Sequence, residues 1–94
     1  MQTYIISYDL NREGADYSRA NKELTDKIKE LFPTWWHHLD SVWIVVTQMT
    51  AVQIRDALAR HLDSNDELLV VLSGNAGAWC GFSDKSTNWL KKYL

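Results

Sequence analysis

Along Thr3–Leu10 the side chains sort at period two. Tyr4, Ile6 and Tyr8 fall on one side, Ile5, Ser7 and Asp9 on the other, which predicts a strand whose second face ends at a carboxylate. Asn11-Arg12-Glu13-Gly14 reads as a connection, with Asp16 or Ser18 as cap of the next helix. Tyr17, Ala20, Leu24, Ile28, Leu31 and Phe32 then recur at helical spacing until Pro33 stops them. In TWWHHLDSVWIVVTQ, two strand-like runs, Trp35–Leu39 and Val42–Thr47, flank Asp40-Ser41 as a tight turn or bulge. Thr50 followed by Gln53 has the capping-box spacing, opening a helix with Ile54, Ala57, Leu58, His61 and Leu62 on one side. After the turn residues 63–66, Leu68–Leu72 is apolar at both parities, which predicts a strand covered on both faces. Gly74, Gly77 and Gly81 break up an irregular stretch. Ser83 caps a last helix carrying Trp89, Leu90, Tyr93 and Leu94.

The order is β-α-β-β-α-β plus a terminal helix. That pattern predicts an α+β fold, a ferredoxin-like plait (βαββαβ) with an additional C-terminal helix, as a single domain over residues 1–94. Such a sheet carries two helices on one face and leaves the other bare. Ile5, Trp43 and one parity of Leu68–Leu72 are expected on that bare face, and a homodimer would bury them.

Composition sharpens this picture at a few points. The 94 residues are 46% hydrophobic and include five Trp, more apolar surface than a small monomer easily hides. Ten basic against twelve acidic side chains exclude a global basic field, so any nucleic-acid contact needs a local cluster. One cysteine, Cys80, excludes an internal disulfide and a cysteine-built metal site; its expected place is buried, as a small hydrophobe. No apolar run reaches the roughly 20 residues of a membrane span, and no leader pattern opens the chain, so a cytoplasmic location is the expectation.

Asp9 is the candidate catalytic and metal-binding residue, because Asp is depleted within strands. It has two readings: a loop cap, or one half of a symmetric carboxylate pair across a dimer, relieved by Mg²⁺ or Mn²⁺, with the ion activating water beside a phosphodiester. Arg12 and Arg19 follow closely and are the candidate nucleic-acid contacts. His37 and His38 are adjacent on a strand and so point to opposite faces. His61 ends a helix, where the helix dipole favours it without catalysis.

Tyr8-Asp9-Leu10, Ser41-Val42-Trp43 and the plait order carry a resemblance to the CRISPR-associated Cas2 family and its small Cas2-like relatives of the SinR family. The fold-level likeness covers about residues 1–75; YIISYDLN, WWHHLDS and AWCGF extend it along the chain. The resemblance implies a homodimer in which Asp9 is paired across subunits and supports metal-dependent cleavage of RNA or duplex DNA. It equally implies an alternative, a non-catalytic dimeric scaffold that binds nucleic acid or protein in CRISPR adaptation, a toxin–antitoxin system or phage defence. The partner would then be an integrase or an antitoxin. The helix after Gly74 stands where many Cas2 proteins have a short exchanged strand.

Overall fold

The computed structural model describes residues 1–74 and 76–94. Its elements run β1 (Gln2–Asp9), α1 (Gly14–Leu31), β2 (Trp35–Leu39), β3 (Val42–Thr47), α2 (Ala51–Ala59), β4 (Glu67–Leu72) and α3 (Asp84–Tyr93). The four strands form one antiparallel sheet in the order β2-β3-β1-β4. This is the ferredoxin-like plait with a C-terminal helix added.

Local chemistry accounts for most element ends. Thr50 and Gln53 close a reciprocal capping box at α2, and the Ser83 hydroxyl accepts from the Ser86 amide at α3. The two-residue β2–β3 turn places Ser41 at φ 61°, in the left-handed region. Only α1 departs from its expected start. It begins at Gly14, with Glu13 as a cap residue whose side chain makes no capping bond, while Asp16 lies inside the first turn. Gly14 takes φ 57°, so the chain turns into the helix through the residue that bears this angle at least cost.

One sheet face packs on α1 and α2. Tyr4, Ile6, Tyr8, Trp43 and Val45 meet Ala20, Leu24, Ile28, Ile54 and Leu58 in a single apolar cluster. Trp43 is fully buried in it and donates Nε1–H to the Tyr8 hydroxyl at 3.1 Å. Burial pushes the Tyr8 phenol up from its ordinary value, so it stays neutral as the acceptor. Here an expectation fails: Trp43 belongs to the helix-covered face, not the bare one. Its register partner on β1 is Ile6, whereas Ile5 pairs with Ile44.

The opposite face is not bare either. Helix α3 lies over its β2–β3 half, where Leu90 packs with Trp36 and Ile44, flanked by Ile5, Trp79, Phe82 and Trp89. Trp36 donates Nε1–H to Ser86 Oγ at 2.6 Å and Thr3 donates its hydroxyl to the Tyr93 carbonyl at 2.9 Å, which fix the helix to the sheet. The uncovered remainder is the β1–β4 half, with β4 as an edge strand. Leu69 and Val71 are exposed there, the first at 59%, so the doubly covered strand expected from Leu68–Leu72 is covered on one face only within a single chain. Tyr17, expected in the α1 stripe, is also exposed, and so is Cys80, contrary to its expected burial. Among the described residues no helix is long and apolar enough to cross a membrane.

Candidate functional site

Asp9 ends β1 on the uncovered half of the sheet and is exposed to solvent. Its register partner across the β1–β4 ladder is Glu67, the first residue of β4. Residues directly opposite in an antiparallel pair project on the same face with Cβ atoms about 4.5–5.5 Å apart. Two carboxylates therefore stand side by side. A shallow depression lined by Ser7, Asp9, Glu67 and Leu69 surrounds them. Ser7 faces Leu69 two residues further along the same ladder.

A second group of charges anchors the ends of these strands. The Arg12 guanidinium donates to Asp66 Oδ2 from Nη2 at 2.7 Å and from Nε at 3.2 Å, and Nε also lies 3.4 Å from Asp63 Oδ2. The Asp66 carboxylate is fully enclosed and accepts further bonds from the Asn11 and Asp63 backbone amides, each at 3.0 Å. The Asn11 side chain adds a bond to the Asn65 carbonyl. Arg12 holds the Asp66 carboxyl below the usual carboxylate range, against the opposing effect of desolvation, and the two backbone amides reinforce it. The same bond raises the Arg12 pKa. This clasp joins the chain just after Asp9 to the chain just before Glu67. It sets the ends of the two strands that carry the paired carboxylates.

The structure thus brings Asp9 together with a residue that sequence reasoning missed. Glu67 opens an otherwise apolar run, and a charged first residue reads by itself as a strand terminus. Only the register Asp9–Glu67 reveals the pair. Arg12 is engaged by Asp66 and Asp63. Arg19 lies on the exposed surface of α1, 2.8 Å from Asp16 and open to solvent. His37 and His38 do point apart. His37 stacks on Trp43 at 3.9 Å and donates Nδ1–H to the Val42 carbonyl, while His38 is exposed beside Trp36. His61 is half-buried in the turn just beyond α2.

Among the described residues no group of three or more His, Cys, Asp or Glu side chains converges as a metal site. One chain offers two hard oxygen donors, Asp9 and Glu67. That donor set fits a hard, partly hydrated cation and lacks the nitrogen and sulfur ligands of a zinc or copper centre. The fold and the site define an α+β plait with a carboxylate pair on the open half of its sheet. In comparisons with known proteins the chain matches no family model, no curated protein and no solved structure.

Proposed function

We propose that the protein is a homodimeric, divalent-metal-dependent endonuclease in which Asp9 and Glu67 hold Mg²⁺ or Mn²⁺ against a phosphodiester. The observation that carries this reading is the pairing of Asp9 with Glu67 across the β1–β4 ladder, beside an exposed apolar strip. Like charges directly opposite on paired strands repel and destabilise the sheet. A divalent cation converts that repulsion into attraction. Magnesium sites commonly use only one or two protein carboxylates and complete the shell with waters and substrate phosphate oxygens, so the two-ligand set is adequate.

When bound, such an ion polarises a phosphoryl oxygen and lowers the pKa of a coordinated water. The chain's own residues have narrower tasks. Asp9 and Glu67 supply the negative charge, and the Arg12–Asp66 clasp positions their strands. Arg12 is a positioning residue in this scheme, and Arg19 is the cation assigned to phosphate contact. Dimerisation through the β1–β4 half would bury Leu69 and Val71 and bring a second carboxylate pair into the same region. The resemblance to Cas2 proteins supports the dimer, the role of Asp9 and RNA or duplex DNA as substrate.

One observation favours a second reading, a non-catalytic dimeric scaffold for nucleic acid or for an integrase or antitoxin partner. It is the ligand count: two carboxylates per chain, with no third group beside them among the described residues. Mn²⁺ binding followed by electron paramagnetic resonance separates the two. The nuclease reading expects binding by the parent and at least about tenfold weaker binding by Asp9→Asn and Glu67→Gln, the usual scale of losing a ligand-shell interaction. Equal binding by parent and both variants would remove the carboxylate pair from the metal site.

A further inference from the structure

Strands β2 and β4 form the two edges of the sheet. An edge strand presents a row of unpaired backbone N–H and C=O groups, which proteins commonly blunt with Pro, Lys or a bulge. The β2 edge is blunted by a register shift between Trp36 and Leu39. The β4 edge is not. Its pairing to β1 is unbroken from Glu67 to Leu72, and Leu68–Leu72 contains neither Pro nor a charge.

The direction of each backbone group on β4 follows from one bond. The Ser73 amide donates to the Thr3 carbonyl at 2.9 Å, so these two residues form a hydrogen-bonded pair. Such pairs alternate along an antiparallel ladder. Leu69 and Val71 therefore turn their N–H and C=O groups inward to β1, and Leu68, Val70 and Leu72 turn theirs outward. The β1–β3 ladder agrees: the Tyr8 amide donates to the Ser41 carbonyl, which leaves the odd-numbered residues of β1 for β4. Apolar side chains are exposed along this edge on both faces, Leu69 and Val71 on the open one and Leu72, opposite Tyr4, on the other.

We propose that β4 pairs with β4 of a second copy, antiparallel about a two-fold axis at Val70, joining the two sheets into one. The outward groups select this register. A two-fold axis perpendicular to the sheet keeps every residue on its own face. Centred at Val70, it sets Val70 opposite the partner's Val70 and Leu68 opposite the partner's Leu72, each as a hydrogen-bonded pair. Leu69 then meets the partner's Val71 on the open face, in the closer of the two pair spacings. Glu67 falls opposite the partner's Ser73, so no carboxylate faces another across the contact. An axis at Leu69 would instead require Leu72 to pair with the partner's Asp66, whose amide is already bonded to the Asp63 carbonyl. The inference rests on the homodimer read above and adds the strand, the register and the groups that meet. Both Asp9–Glu67 pairs then lie on one face of the joined sheet.

The test is residue-resolved amide hydrogen exchange on the parent protein, compared between a concentration about a hundred times the dimer dissociation constant and one well below it. The Leu68, Val70 and Leu72 amides are expected to slow at least about tenfold in the dimer, because their exchange then waits on dissociation. The Leu69 and Val71 amides, bonded to β1 within one chain, should change far less. As a second measure, Leu69→Cys and Val71→Cys proteins, each also carrying Cys80→Ser, are mixed and oxidised. The Cα spacing of such a pair, about 4.5 Å, is one a disulfide spans. The mixture is expected to give a covalent dimer joining position 69 of one chain to position 71 of the other, in larger amount than either protein forms alone. A dimer whose three outward amides exchange as fast as in the monomer, or a mixture without that cross-link, would overturn the contact and leave the homodimer to another surface. A parent that stays monomeric would overturn both. Protected amides in a protein that cleaves nothing would support the contact and count against the nuclease reading alone.

Discussion

Asp9 and Glu67 face one another across β1 and β4, and their charges oppose the pairing that brings them there. Replacing one by its neutral isostere should therefore strengthen the fold while removing the site. Asp9→Asn is expected to raise stability by about 0.2–1 kcal/mol in urea unfolding, the range of cross-strand pair effects. A loop-capping Asp9 would instead lose about 0.5–2 kcal/mol on the same change, so the sign decides between the two roles. On the buried side the sign reverses. Tyr8→Phe leaves the enclosed Trp43 Nε1–H without its acceptor, a loss expected to cost about 1–3 kcal/mol. An unchanged unfolding midpoint in Tyr8→Phe would mean that the indole finds another partner.

At the level of elements, two devices hold the periphery. The Arg12–Asp66 clasp joins the β1–α1 connection to the turn before β4. The folded-state pKa of Asp66 lies below its unfolded value of about 3.9. Its contribution is therefore complete above about pH 4 and is lost as the pH falls further toward the folded pKa. Asp66→Asn should be less stable than the parent at pH 7, and the gap should narrow below pH 4 in unfolding measured across that range. A gap independent of pH would show that ionisation of Asp66 is not what the clasp uses.

Helix α3 is the second device. Leu90→Ala should cost about 2–5 kcal/mol, as for other buried Leu truncations, because Leu90 fills the space above Trp36 and Ile44. This helix also marks the limit of sequence reading. Its existence and Ser83 cap were legible from spacing and a hydroxyl, and so were the plait order and the Thr50 capping box. Which face it covers was not, because helical periodicity names an apolar stripe without naming the surface that receives it. Trp43 was misplaced for a related reason. A run such as Val42–Val46, apolar at every position, contains no alternation to fix its parity, and the β1–β3 register alone supplies it. Glu67 became a candidate only through the same kind of long-range pairing. Asp9 was legible because a lone carboxylate at a strand end departs from strand composition.

For the whole molecule, the open β1–β4 half determines what the proposed dimer would use. Leu69 is exposed within one chain, so Leu69→Lys should leave monomer stability within about 0.5 kcal/mol. In a dimer built on this face the same change buries a charge against an apolar surface and should yield monomers in light scattering coupled to gel filtration. Dimers that persist in Leu69→Lys would place the subunit contact elsewhere. The central claim is that the Asp9–Glu67 pair supports metal-dependent cleavage. Its most direct test is to assay parent, Asp9→Asn and Glu67→Gln proteins side by side on single-stranded RNA and duplex DNA. Mg²⁺, Mn²⁺ and chelator are compared, with the oligomeric state checked in each sample. The account predicts cleavage by the parent with either metal, none with chelator, and none by either variant while both keep the parent's fold and oligomeric state. Cleavage by both variants at the parent's rate, or none by the parent with either metal, would contradict it.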